Sequence, residues 1–297
     1  MTSSGSTLHT PTHSQKVINR ETRESFLIVD AHVHIHQCFD LPKFFSSAVA
    51  NCQAQAQLHQ AHDNFSGMML LTESSWDHWF QSLKSMAEKN QYLQTSHSDR
   101  WRFFRTDESY SLIARSHTGT KLFILAGRQI VTKEKLEVLA LMTDATFPEG
   151  ESIQQSMDLV QHAGGISVIP WGFGKWWGKR GKILTELLEE KSSLDFYLGD
   201  NSGRPSFLPY PHQFAQGTGK GLQILPGSDP LPFASEFWRP CSVGFTVTGW
   251  INDETPGIAL KNILREKDKP LTPYMKMENF PRFCKNQVAM QMVKHQR

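Results

Sequence analysis

Two stretches of the chain carry residue types and spacings that do chemistry. The first is Phe26-Leu27-Ile28-Val29-Asp30-Ala31-His32-Val33-His34-Ile35-His36, an apolar run passing into an acid and then into alternating histidines. Aliphatic and β-branched residues in a run of this length predict a buried strand. Side chains alternate faces along a strand, so His32, His34 and His36 point the same way. Imidazoles at neighbouring same-face positions of a strand end are a ready pair of nitrogen ligands for a divalent metal. Histidines on a solvated strand end would bind nothing. An Asp-Ala-His-x-His run directly after a buried strand favours the metal reading.

The second stretch is Trp171-Gly172-Phe173-Gly174-Lys175-Trp176-Trp177-Gly178-Lys179-Arg180-Gly181-Lys182, with four cations and three tryptophans between glycines. It lacks the Gly-x-x-x-x-Gly-Lys-Ser/Thr order of a phosphate loop. Cations bind phosphate or carboxylate and indole faces stack on rings, so Lys175, Trp176, Lys179 and Arg180 are expected to bind an anionic or sugar-like substrate. The plain alternative is a loop pinned by its tryptophans, with solvated lysines. In Asp200-Asn201-Ser202-Gly203-Arg204-Pro205, Asn201 and Arg204 would orient the substrate; ordinary turn chemistry also accounts for this segment.

The elements that must position these groups follow from periodicity. After the first strand, 43–63 is rich in Ala and Gln and predicts a helix. A second apolar run over 67–71 ends near Glu73, and barrel folds place their chemistry at strand ends; a merely solvated acid is the alternative. Trp76, Trp79, Phe80 and Leu83 give 75–89 a helical stripe, and 102–115 reads as a hairpin returning into 121–127. A helix with Ile153, Met157 and Val160 stops at Gly164-Gly165, and a strand over 166–170 precedes the cationic loop. About seven strand-then-helix units without a linker predict one parallel (β/α)7-type barrel of the TIM-barrel kind over 23–297, closed by a C-terminal helix. The polar tail over 1–22 is expected to be disordered.

Ile28-Val29-Asp30-Ala31-His32-Val33-His34 resembles the first-strand motif of the amidohydrolases and of the polymerase-and-histidinol-phosphatase (PHP) metallohydrolases, whose His-x-His ligates metal. Three further stretches favour the PHP proteins. Thr72-Glu73-Ser74 stands where that family has Thr-Asp-His. Gly127-Arg128-Gln129-Ile130, followed by Glu137-Val138-Leu139-Ala140-Leu141, keeps the frame of a Gly-x-Glu strand and a His-led second run. Gly227-Ser228-Asp229 matches a Gly-Ser-Asp-Ala-His motif up to its metal-binding Asp. The resemblance spans roughly 25–235 and implies a PHP-like barrel with His32, His34 and Asp229 as metal ligands, Glu73 or Glu137 adding an oxygen. It also implies Asp229 and Glu73 as catalytic groups. Family ligands are replaced by Ser74, Gln129, Trp171 and Pro230.

The implied activity is metal-dependent hydrolysis, of a phosphoester on a small anionic substrate, with one or two zinc, manganese or iron ions. Carbon–nitrogen hydrolysis of the amidohydrolase type is the alternative within enzymes. A barrel that binds a sugar or phosphate without turning it over is the alternative outside them. A net charge of +2 on 297 residues gives no reason to expect a nucleic-acid partner. Four scattered cysteines suggest reduced thiols and, with no apolar leader or membrane-length run, a cytoplasmic setting.

Overall fold

The computed structural model of the protein describes residues 23–61, 64–94, 100–190, 195–275 and 277–295, and the expected tail over 1–22 lies outside them. Strand β1 (Arg23–Val33) is buried on both faces from Leu27 to Val33, as its apolar run requires. Helix α1 (Leu41–Leu58) starts where the Asp40 side chain accepts the Lys43 N–H and Pro42 occupies the first turn. Strand β2 (Phe65–Leu71) and helix α2 (Trp79–Glu88) follow. Next comes a meander of β3 (Tyr92–Leu93), β4 (Trp101–Arg105), β5 (Ser111–Ser116) and β6 (Lys121–Leu125). A hairpin of β7 (Gly127–Val131) and β8 (Glu137–Leu141) leads into α3 (Ile153–His162), capped by a reciprocal Ser152–Gln155 box.

Strands and helices then alternate as β9 (Ile166–Pro170), α4 (Gly178–Glu190), β10 (Tyr197–Asn201), α5 (His212–Gly219) and β11 (Ile224–Gly227). The last elements are β12 (Gly244–Ile251), α6 (Pro256–Arg265), β13 (Thr272–Tyr274) and α7 (Phe280–His295).

These strands form two mixed sheets, and the expected closed parallel (β/α)7 barrel is not the fold. One sheet has eight strands in the order β13-β12-β1-β2-β6-β5-β4-β3, and the other has five in the order β11-β10-β9-β8-β7. Among the named strands of the described residues, β1–β2–β6 and β9–β10–β11 alone run parallel. The physical reason is connection length. A parallel neighbour needs a crossover of a dozen or more residues. The segments 106–110, 117–120 and 132–136 are far shorter, so β4–β5, β5–β6 and β7–β8 must be antiparallel. Strand β12 also pairs antiparallel with β1, from Arg23 to Val29.

The sheets are stitched at two seams. Beyond β2, the Glu73 N–H donates to Gly127 O at 3.1 Å and the Gln129 N–H to Glu73 O at 2.9 Å. Beyond β1, the Asp229 N–H donates to His32 O at 2.8 Å. Leu27, Val29, Met68, Leu70, Phe123, Leu139, Val168 and Leu225 fill the space between the sheets. Phe44, Phe45, Phe80 and Leu83 of α1 and α2 cover the outer face of the larger sheet, and Val160, Leu184, Leu188 and Phe214 of α3, α4 and α5 cover the smaller. Each such side chain contributes about 1.5–3 kcal/mol by leaving water. Among the described residues no helix is long and apolar enough to cross a membrane.

Candidate metal centre

At the second seam three ligand atoms converge. His32 Nε2 and His34 Nε2 lie 3.1 Å apart, and Asp229 Oδ1 stands 3.5 Å from the first and 3.6 Å from the second. Among the described residues these three form a group that could hold a metal ion. Donors held 2.0–2.2 Å from one tetrahedral ion stand roughly 3.3–3.6 Å from one another. Two imidazole nitrogens and one carboxylate oxygen at the observed separations therefore fit a single divalent ion, with shifts of a few tenths of an ångström. Zinc, manganese and iron all accept this donor set.

The strand ends fold this way because glycine and buried polar groups hold them. A Cβ on Gly227 would lie 2.3 Å from the His32 nitrogen, so only glycine lets β11 come this close to β1. Asp229 then takes φ +44°, a left-handed conformation that costs a non-glycine residue on the order of 1 kcal/mol. Its hydrogen bond to His32 O holds it there. Asp30, fully buried, accepts the N–H groups of His32 (3.2 Å), Ser228 (2.8 Å) and Cys241 (2.7 Å). Its carboxylate thus joins the histidine strand to the Asp229 turn. Burial pushes the Asp30 carboxyl up to about 7, against the pull of these hydrogen bonds.

Asn201, at the end of β10, donates to Asp229 Oδ2 and to Trp171 O, each at 2.9 Å, leaving Oδ1 turned toward the histidines. Gln129 hydrogen-bonds His34, and Thr72 Oγ1 lies 3.5 Å from His34 Nε2. Burial, and then neighbouring His32, push His34 down to about 3, so it stays neutral and keeps a lone pair at physiological pH. Burial raises the Asp229 carboxyl, but its neighbours His32, His34, Lys175 and Arg239 more than offset this and hold it below the usual carboxylate range.

The other residues singled out by sequence fall into different places. Glu73 does not join the trio. Its Oε1 accepts the Phe80 N–H at the start of α2 at 2.6 Å, and its Oε2 faces Arg128 at 3.4 Å. Burial pushes it up to about 7, the Phe80 N–H and Arg128 opposing. Glu137, at the start of β8, is ion-paired with Lys175. Arg204 is buried and grips Asp200 through Nε at 2.9 Å and Nη2 at 2.8 Å, so it faces a carboxylate of the chain itself. Trp176 is a core residue, packed on Phe214 and donating to Pro170 O at 3.1 Å. Arg180 bonds Gly174 O at 2.7 Å and so staples the loop, while Lys179 is exposed on the first turn of α4. His36 continues the histidine series, its ring stacked on His34, but its Nε2 lies 2.9 Å from Pro230 O.

Asp30, Gln129 and Thr72 are support residues that sequence reasoning did not assign to the site. A buried carboxylate must find donors. That signal was readable for Asp30, but nothing local identifies its donors, 198 and 211 positions away.

No family model matches the chain, and no curated protein matches it. Two solved structures share part of its course. A two-domain protein from Bacteroides vulgatus containing a predicted PHP-like metal-dependent phosphoesterase is 12% identical with a TM-score of 0.46; the match covers 86% of this chain. This chain spans 65% of the length of that protein. PsfC from Pseudomonas syringae is 14% identical with a TM-score of 0.42, over 82% of this chain and 98% of PsfC. The similarity is slight, and the chemistry of the centre rests on its own atoms.

Proposed function

We propose that the protein is a metal-dependent hydrolase whose centre is His32, His34 and Asp229 and whose substrate is a small anionic phosphoester. The observation that carries this reading is the convergence of two imidazole nitrogens and one carboxylate oxygen within 3.6 Å. A divalent ion bound there would supply Lewis-acid polarisation of a phosphoryl oxygen and acidify water. The chain's own residues do the rest. His34, kept neutral, offers its nitrogen without losing a proton first. Asn201 fixes which Asp229 oxygen faces the histidines. Lys175 has three N–H donors and directs one to Glu137, so its head still presents charge and donors to a substrate phosphate.

Elemental analysis and a phosphatase screen test this reading together. Wild-type protein purified without chelator should carry zinc, manganese or iron, and the His32→Ala/His34→Ala variant should carry none and lose hydrolysis. A wild type that binds no metal even after reconstitution would sink the proposal. A second reading, ligand binding without turnover, draws support from Glu73, whose carboxylate is engaged by Phe80 and Arg128 instead of the substrate side. Under that reading a phosphate ligand keeps its affinity in His34→Ala.

A further inference from the structure

A line of buried polar contacts begins at the Asp229 turn and ends in the C-terminal helix. Ser202, just after β10, donates its hydroxyl to Ser228 O, the carbonyl of the peptide that leads into Asp229. Arg239 Nη2 donates to Ser202 Oγ, and Arg239 Nη1 donates to Glu278 Oε1 at 3.1 Å. The same carboxylate oxygen accepts Asn286 Nδ2 at 2.9 Å and faces Arg282 Nε at 3.3 Å, both from α7. Arg282 also donates to Glu236 Oε1 at 2.9 Å, and the other Glu236 oxygen takes Arg239 Nη1 at 2.9 Å. Ser202, Glu236, Arg239, Glu278 and Asn286 are all buried. A buried charge robbed of one partner is costly, so these groups hold one another in place.

The helix at the end of this line is lightly held. Helix α1, of 18 residues, buries Phe44, Phe45, Ala48, Val49, Cys52 and Ala56 behind its first-turn proline. Helix α7, of 16 residues, buries only Phe283 and Asn286 among its described side chains. Phe283 rests on Phe173 of the loop after β9, ring centres 4.8 Å apart, and on Phe207 of the loop after β10, at 5.6 Å. Glu278 is anchored separately, its N–H donating to Arg204 O and its carbonyl accepting the Ser206 N–H. If α7 lifts, Glu278 stays while its carboxylate loses two donors. An element with so little buried apolar surface opens at low cost. We propose that α7 is a strap across the loops beyond β9, β10 and β11, and that its docking strengthens the centre's hold on its ion by fixing the Asp229 turn through Glu278, Arg239 and Ser202. Those three are positioning residues outside the ligand trio. By linkage, whatever factor docking adds to ion affinity, the ion adds to docking. This inference rests on the metal reading above and adds to it a control on the ion's binding.

Hydrogen exchange of full-length protein, stripped with chelator and then saturated with zinc or manganese, tests the helix end. Metal should slow exchange of the α7 amides about tenfold in the wild type. In Ser202→Ala, which cuts the line, that slowing should vanish. Calorimetry tests the other end. Phe283→Ala/Asn286→Ala should lose about tenfold in metal affinity per folded molecule, and Lys285→Ala, at an exposed position of the same helix, should lose none. Should the double variant fail to fold, Phe283→Ala alone makes the same comparison. Three results would each overturn this proposal and leave the hydrolase reading intact: wild-type α7 amides indifferent to metal, equal slowing in Ser202→Ala, or a freely exchanging α7 with undiminished metal affinity. A wild type that binds neither metal would instead overturn the metal reading itself.

Discussion

Glu73 and Asp229 arise from the same local pattern, an apolar strand that ends in an acid, and both sit at seams between the two sheets. Their oxygens meet different company. Both Glu73 oxygens are engaged by the chain, one by the Phe80 N–H and one by Arg128. Asp229 has one oxygen held by Asn201 and the other aimed at two imidazole nitrogens, which are themselves electron donors when neutral. A carboxylate surrounded by N–H groups is finished. One that shares its space with other lone pairs is waiting for a cation. An acid at a strand end thus marks a site only through what already touches it.

The largest effect expected along this line is on stability, at a third acid whose oxygens are filled. Arg204→Ala leaves Asp200 buried without its partner and should cost about 3–5 kcal/mol in urea unfolding, with metal affinity per folded molecule unchanged. Next comes the contrast itself. Asp229→Ala should weaken zinc binding by at least about a hundredfold, while Glu73→Ala should leave it within about threefold and instead lower stability by about 1–3 kcal/mol. Equal losses of affinity in the two variants would erase the distinction. Asn201→Ala, which frees Asp229 to turn, should weaken zinc binding by about tenfold with little change in unfolding midpoint.

The smallest effect is a pH dependence. Glu73 holds its proton more tightly in the folded chain, its carboxyl rising from an ordinary 4.5 to about 7. The folded state therefore binds more protons than the unfolded state between those values, and stability falls as pH rises through them. Glu73's contribution is complete below about 4.5 and gone above about 7, so Glu73→Gln should flatten that part of the wild-type curve. A wild-type-minus-variant difference that rises with pH there would contradict the assignment.

Much of the centre was legible in the sequence. Strand alternation alone brings His32 and His34 to one side, and their Nε2 atoms lie 3.1 Å apart. Asp229 came from its Gly-Ser-Asp context, and Gly227 has a physical role there, against the backbone of His32. The fates of Glu73, Arg204 and Trp176 were not legible, because local pattern gives a side chain's direction and leaves its partner unnamed. Phe80, Asp200 and Phe214 decide those three. The fold erred for a simpler reason. Strand-then-helix counting passed over the brevity of 106–110, 117–120 and 132–136, which only hairpins can span.

Asp30 carries a consequence for how the protein is made. Its backbone donors Ser228 and Cys241 lie 198 and 211 positions further along the chain. At about 5–20 residues per second, a ribosome takes roughly 10–40 s to pass from one end of that bond to the other. Throughout that interval the growing chain holds two histidines and a carboxylate with no turn to dock against. The nascent protein therefore carries the His32–His34 half of the group alone until the turn at Asp229 has been made.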